Sequence, residues 1–569
     1  MPLAVQLTTG TGSYANPTEA LTDQLFGVRY ISYRNVQRFL DQTEDTNVGL
    51  IVWPGGTLAE IRDDRFGFEF DGLQNPDNNK PALGDMMETA LAQDASLSVV
   101  LPTARYVDDL SGLQADLSRF LETLLSGDLG HLPKELIFEV GSEYYAHFDG
   151  PYAASQYGAV ADVMITEIAQ ALNDPSVNLI EADVTIAIQA GKTLEDDIQI
   201  RDALSDFSSA AVDTLIHHRF AYQPQGIDSR IDELELILDA WNEDTGTEVD
   251  LFVSAWNTVT LTRNGVLKDY LEYKASHGVD LDASDVDLQG RTTSEFEAYW
   301  QDTLDQAAYG QEHAAYILES FSSYAEAGAD AAAHYGTDLI HPGRTSWSES
   351  GEAYDFVGAE MLEMIYESVD GTHVLSSDGD YDPKALATTY GFENEDKLIV
   401  FVAAGDRAPG EVNLEIANLG CVYKEVWAER LTGETPEDWM SIFGIADNAA
   451  VDESPEAETY AIGVREAFSP TATENGLSFS LDSPHEVIRL AFAKTEAGAT
   501  EISSWSTGTP TELSEENPYD GLPLLPCADQ AGALPMESHE LESNAALLMV
   551  DAASGGSGIG LLLLLLMFL

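Results

Sequence analysis

At 569 residues the chain exceeds what one hydrophobic core ordinarily holds, so length alone calls for two domains plus tails. It carries 26 Lys and Arg against 99 Asp and Glu, a formal net charge of -73. A surface of that sign repels phosphate backbones and anionic lipid, which excludes a nucleic-acid partner. It suits a protein kept soluble in salt or outside the cell, and a lineage-wide acidic bias accounts for it equally well.

Residues 1–20 are polar and rich in Gly and Thr, and read as an extended lead-in. Met1 to Gly10 has neither the basic region nor the apolar core of an ordinary signal peptide. A strand–helix rhythm then begins. Strands are expected at Phe26–Tyr30, Val48–Trp53, Leu97–Leu101, Leu136–Val140, Val184–Ile188, Val212–His218, Val249–Asn257 and Ala329–His334. Between them, helical spacing of apolar residues predicts Asn35–Leu40, Leu83–Ala92, Leu113–Leu125, Ala153–Ala171, Ile231–Trp241 and Glu312–Ala327. Eight such alternations predict a closed (β/α)₈ barrel.

Beyond about Leu375 the pattern becomes short, β-rich and punctuated by Gly and Pro, at Leu398–Val402, Glu411–Ala417, Val422–Trp427 and Val487–Phe492. This predicts a C-terminal antiparallel β-sandwich. The expected division is a lead-in at 1–20, the barrel at 21–374, the sandwich at 375–495, a disordered acidic Ser/Thr/Pro-rich linker at 496–550 and a Gly/Leu-rich tail at 551–569. The apolar run Leu561–Leu569 is well short of the ~20 residues that span a bilayer as a helix. It is similar to the C-terminal sorting tails of bacterial surface proteins, although those end in arginines. It also fits an uncleaved export signal. Both readings place the protein outside the cytoplasm, at the cell surface or beyond it, with the tail as its contact to a membrane or wall. Cys421 and Cys527 fit one disulfide or two free thiols equally.

If the barrel closes, four strand ends meet at its carboxyl-end face, where such barrels place their chemistry. The second strand offers Trp53-Pro54-Gly55-Gly56 and the fourth Gly141-Ser142-Glu143-Tyr144-Tyr145. The sixth offers His217-His218-Arg219-Phe220-Ala221-Tyr222 and the seventh Ser254-Ala255-Trp256-Asn257. Aromatic faces stack on sugar C–H surfaces, and carboxylate, imidazole and amide groups read hydroxyls, so the set suits a carbohydrate. His217 and His218 are adjacent, so only one can face the mouth. No phosphate-binding loop, dinucleotide fingerprint or metal-ligand spacing occurs, so neither a cofactor nor a metal is expected.

These motifs together resemble those of clan A glycoside hydrolases, the families typified by xylosidases, arabinofuranosidases and heparanase-like β-glucuronidases, over residues 20–495. Pro54-Gly55-Gly56 resembles the turn after their second strand. Glu139-Val140-Gly141-Ser142-Glu143 resembles their Glu-[Ile/Leu]-Gly-Asn-Glu motif, which implies Glu143 as acid/base and Ser142 in the place of a sugar-binding asparagine. Val253-Ser254-Ala255-Trp256-Asn257 resembles their Val-Thr-Glu-Trp-Asn motif, with Ala255 where the nucleophilic glutamate belongs. Retaining hydrolysis needs two carboxyl groups about 5–5.5 Å apart, and an alanine cannot supply the second. Asp250 and Glu139 lie deeper in their strands. The expected site is thus Glu143 as the catalytic acid/base, with Trp53, Gly55, Gly56, Ser142, Tyr144, His217, His218, Trp256 and Asn257 holding a glycan. The alternative is a non-catalytic carbohydrate-binding or structural surface protein on a degenerate hydrolase scaffold.

Overall fold

Each of the eight expected strands is too apolar to leave either face in water, and the fold buries both. The computed structural model describes residues 3–7, 20–29, 46–61, 81–223, 227–246, 248–259, 263–286, 294–335, 355–375, 381–416, 422–423, 425–435, 461–473, 476–506 and 508–513. The expected helix at Asn35–Leu40, both cysteines and the tail lie outside them.

Strand β1 (Leu3–Leu7) precedes the barrel. The barrel strands are β2 (Gly27–Arg29), β3 (Leu50–Trp53), β4 (Ser96–Leu101), β5 (Leu136–Val140), β6 (Thr185–Gln189), β7 (Thr214–Ala221), β8 (Asp250–Thr258) and β9 (Ala331–Tyr335). Each pairs parallel with the next, and β2 pairs with β9 to close the ring. Side chains alternate between two cores, as the period of a strand requires. Leu50, Val52, Val100, Ile137, Ile216 and Phe252 fill the barrel interior. Ile51, Trp53, Val99, Phe138, Leu215 and Val253 face the surrounding helices. Burial on both sides is why these strands read as continuous apolar runs.

Between β8 and the Glu312–Glu326 helix the chain inserts two helices the sequence pattern did not reveal, Arg263–Ser276 and Ser294–Asp305. They close a small core of their own around Tyr270, Phe296 and Trp300. The charged residues between those positions masked the helical period.

The remaining strands are β10 (His373–Val374), β11 (Ala387–Glu393), β12 (Lys397–Ala404), β13 (Gly410–Ile416), β14 (Glu425–Glu434), β15 (Ile462–Phe468), β16 (Thr471–Ala472), β17 (Gly476–Leu481), β18 (Val487–Ala493) and β19 (Thr511–Glu512). They form one sheet ordered β10-β11-β12-β18-β14-β15, with β19 on β14, and a second ordered β1-β13-β17-β16. The first sheet is covered on both faces. From β12, Leu398, Val400 and Val402 enter the core shared with the second sheet. Ile399, Phe401 and Ala403 join the barrel-side core. There Phe392 of β11 meets Phe321 of the Glu312–Glu326 helix with ring centroids 6.2 Å apart. The Tyr390 hydroxyl donates to Glu319 at 2.6 Å. Arg465 of β15 clasps Glu360, Glu363 and Glu367, which share one face of the Val357–Ser368 helix, at 2.6, 2.8 and 2.9 Å.

Two expected boundaries change. Residues 3–7 are not a free lead-in, because β1 pairs in parallel with β13 from Leu3 opposite Val412 to Leu7 opposite Ile416. The linker expected from 496 begins later. Glu496–Trp505 is a helix capped by the Thr495 hydroxyl, and β19 follows it. Ile502 is buried in the barrel-side core, and the Arg489 guanidinium lies 4.2 Å from the Trp505 ring centroid. Ser and Thr content hid a helix anchored by only a few apolar residues. Among the described residues no helix is long and apolar enough to cross a membrane.

Candidate active site at the barrel mouth

The chain leaves β5 through backbone that few residues tolerate. Gly141 has φ +73, and a Cβ there would lie 2.6 Å from Thr103 Oγ1, so glycine is required. Two residues on, Glu143 is itself left-handed, with φ 46 and ψ 54. For a residue with a Cβ that conformation costs roughly 1–2 kcal/mol, and such strain concentrates at functional positions. A carboxylate the sequence pattern did not single out holds the turn. Buried Glu60 accepts from Ser142 N at 3.0 Å, Thr103 Oγ1 at 2.7 Å, and the Thr103 and Ala104 amides at 2.8 Å each. It ties the loops after β4 and β5 together. Gln189, at the end of β6, donates to Gly141 O at 3.2 Å and accepts from Glu143 N at 3.4 Å.

The turn presents the Glu143 side chain to the mouth, 26% exposed. Its Oε1 lies 3.3 Å from His218 Nδ1 and accepts from the Tyr145 hydroxyl at 3.3 Å. Burial pushes this carboxyl up. The His218 hydrogen bond and charge, the Arg29 charge and the Tyr145 hydroxyl outweigh that and bring it down to about 2. Glu143 is therefore a carboxylate at neutral pH.

Below Glu143 lies a buried polar layer. His218 Nε2 is 2.8 Å from Ser254 Oγ. Ser254 Oγ donates to Glu139 Oε2 at 3.3 Å and accepts from Arg29 Nη1 at 3.0 Å. Arg29 also donates to Ser254 O at 2.7 Å and pairs with Glu139 Oε2 at 3.4 Å, and Ser98 donates to Glu139 Oε1 at 3.2 Å. Glu139 is the second carboxylate of this region, but its side chain is 0% exposed and both oxygens are engaged. Arg29 and Ser98 carry no sequence motif, and Ser254 entered only as part of the strand-end motif, without a role of its own. The signal available was their position on inward-facing strand sites next to a buried acid.

The expected site residues divide by face. His218 points inward and His217 outward, where burial first, and then the charges of Arg230, His218 and Arg219, keep its imidazole neutral. β8 carries a bulge. Val253 opposes Ala332 and Trp256 opposes His334, leaving Ser254 and Ala255 together opposite Ala333. On its other edge Ala255 opposes His218. Ala255 therefore lies on the inward side, beside His218.

The expectation that Trp53, Tyr144, Trp256 and Asn257 line the mouth is corrected. Trp53 follows Val52 in the pleat and turns into the helix-side core. Tyr144 stacks on Tyr157 at 5.3 Å, and its hydroxyl accepts from Lys192 N at 2.7 Å. Trp256 is 1% exposed and packs edge-on to His334 at 4.9 Å and Tyr324 at 6.3 Å. Asn257 donates to Tyr335 O at 2.9 Å, and its Oδ1 lies 2.9 Å from His313 Nε2. Ser142 and Gly56 are buried under the rim. A Cβ on Gly56 would fall 1.9 Å from Ser142 Oγ, so glycine there makes room rather than contact. Gly55 is buried beside it. The accessible aromatics are others: Tyr145, 40% exposed, Tyr222 just past β7, and half-buried Phe220 near the end of β7.

Away from the mouth, Glu312, Asp406 and His485 bring two carboxylates and an imidazole within 4.8 Å where the barrel meets the sandwich. Burial first, against the Asp406 charge, lowers the His485 imidazole.

No family model matches the chain, and no curated protein matches it. Its fold is similar to solved structures. One is the GH51 arabinofuranosidase from Xanthomonas axonopodis pv. citri, at 12% identity over 86% of this chain and 99% of that one, TM-score 0.51. Another is the α-L-arabinofuranosidase from Thermotoga maritima in its arabinose complex, at 10% identity over 86% and 99%, TM-score 0.55. A third is a family 51 α-L-arabinofuranosidase from Bifidobacterium longum, at 10% identity over 86% and 99%, TM-score 0.51. At such identities the likeness is one of architecture: the chain shares the fold of these structures, a closed (β/α)₈ barrel with separate antiparallel β-sheets.

Proposed function

We propose that the protein binds a glycan at the carboxyl-end face of the barrel, around Glu143, and turns it over very slowly or not at all. One observation carries this reading. The rim after β5 presents an accessible carboxylate, while the inward position of β8 beside His218 holds Ala255. Glu139, the nearest deeper carboxylate, is sealed against Arg29, Ser98 and Ser254. A retaining double displacement needs a carboxylate that reaches the anomeric carbon, and neither residue supplies one. Binding does not need it, because Tyr145 and Phe220 offer stacking faces and Glu143 accepts from hydroxyls.

The test is a calorimetric screen of oligosaccharides, beginning with the arabinofuranosides on which the similar folds act. Wild type is expected to retain at least one glycan class, and Glu143→Gln and Tyr145→Ala to weaken it while melting normally. Failure of wild type to bind any glycan, or binding indifferent to both substitutions, would overturn the reading.

A further inference from the structure

The distances Ser254 Oγ–His218 Nε2 of 2.8 Å and His218 Nδ1–Glu143 Oε1 of 3.3 Å are those of a serine–histidine–carboxylate array. The protons run the other way. A serine hydroxyl has one hydrogen to donate and two lone pairs. Arg29 Nη1 can only donate, so it takes one lone pair of Ser254. Two acceptors lie within reach of the Ser254 hydrogen, Glu139 Oε2 at 3.3 Å and His218 Nε2 at 2.8 Å, and Glu139 also accepts from Ser98 and Arg29. Directed at the Glu139 carboxylate, that hydrogen leaves only a lone pair for His218, and in this orientation His218 Nε2 carries a hydrogen. Ser254 is also fully buried. It is neither activated by His218 nor reachable.

With Nε2 fixed as a donor, one proton remains on the line between His218 Nδ1 and Glu143 Oε1. We propose that Glu143 and His218 share this single mobile proton at the barrel mouth, and that Ser254, held by Glu139 and Arg29, is the positioning residue that keeps it there. The proton resides on Nδ1, giving imidazolium and carboxylate, or on Oε1, giving neutral imidazole and carboxylic acid. No other atom changes its hydrogen. The inference deepens the proposed glycan site and rests on Glu143 being its carboxylate. It makes Glu143 a group that presents an acceptor or a donor to a sugar oxygen at the expense of His218. The groups facing the pair are Arg29 from β2, Tyr145 beside Glu143, Gln189 from β6 and, through Ser254, Glu139 from β5. Of these, Arg29 and Tyr145 favour the carboxylate form of Glu143.

The full-length protein labelled with ¹⁵N-histidine tests this without any glycan, so its outcome is separate from that of the binding screen. Two-bond ¹H–¹⁵N correlation, with His218→Gln assigning the signal, should show Nε2 of His218 protonated across the whole titration and only Nδ1 exchanging. Ser254→Ala should lose the single-tautomer pattern and give a mixture, and Ser254→Thr, which restores a hydroxyl, should recover it. A wild-type His218 protonated at Nδ1 alone, or an unchanged spectrum in folded Ser254→Ala, would overturn the proposal. So would covalent capture of Ser254 by a fluorophosphonate. If Ser254→Ala does not fold, the wild-type titration still decides, since loss of the Nε2 hydrogen at any pH on that path contradicts the lock.

Discussion

The rims of β5 and β8 carry comparable motifs, each placing aromatic and polar residues just past a buried strand, yet the backbone uses them in opposite ways. After Val140 the chain abandons the pleat. Left-handed Gly141 and Glu143 swing the carboxylate and Tyr145 to the mouth and turn Tyr144 back onto Tyr157. β8 instead stays extended to Thr258, absorbing one bulge. Its pleat sends Trp256 to Tyr324 and His334, and Asn257 is claimed by His313 and Tyr335. Residue identity at a strand end therefore does not decide which side of the barrel a side chain serves. The conformation of the next two or three residues does.

The sharpest break in that comparison comes from truncating an aromatic on each rim. Trp256→Ala is expected to lower unfolding free energy by about 3–5 kcal/mol, as for a buried aromatic in a close-packed core. Tyr145→Ala should stay within about 0.5 kcal/mol of wild type, because its ring is half in solvent. Glycan affinity should reverse the ranking, with Tyr145→Ala weakening binding roughly 2- to 10-fold, the scale of one stacking contact. Denaturant melts and calorimetry on the two variants measure both. A Trp256→Ala protein of normal stability and lost binding would place that indole at the mouth after all.

What the sequence made legible follows the same division. All eight barrel strands were visible, because strands buried on both faces read as apolar runs whatever their tertiary partners. β12 and β18 were visible for that reason too. β13 and β17 alternate buried residues with half-buried or exposed ones, and only the first of them was recognised. At the site, Glu143 and an inward histidine were legible from spacing. The outward turn of Tyr144 was not, since it depends on a left-handed Glu143 that no residue preference announces. The polar layer of Arg29, Ser98, Glu139 and Ser254 was hidden because its members come from four strands and meet only on closure. The bulge that sets Ala255 beside His218 is likewise a property of register.

The pH dependence of stability sharpens the contrast more gently. On the β8 side, burial holds His313 down to about 3 and keeps His334 and His217 neutral as well. Their folded values lie below the unfolded 6.5, so the unfolded chain takes up protons first as pH falls. The stability associated with keeping them neutral is present above about 6.5 and is lost progressively toward 3. On the β5 side Glu143 is also depressed, from 4.5 to about 2, so its contribution is present above 4.5 and lost as pH falls through 2. Melting midpoints across this range should decline in two stages, and His313→Gln should reduce the upper one, which His334 and His217 still feed, while leaving the lower. An upper stage unaffected by His313→Gln would mean that this imidazole is not buried neutral.

The proposed reading sets the β5 rim, which carries the Glu143 carboxylate, against the β8 rim, which carries Ala255, and the most direct measurement is hydrolysis of an aryl glycoside panel by wild type and Ala255→Glu, with Glu143→Gln alongside. Removing a hydrolase nucleophile costs several orders of magnitude in rate, so wild type should stay near background and Ala255→Glu should exceed it by about a hundredfold or more. Added to Ala255→Glu, the Glu143→Gln change should remove that gain. Robust turnover by wild type that Glu143→Gln abolishes and Ala255→Glu does not increase would contradict the account, for it would show that a working second carboxylate already stands at the mouth.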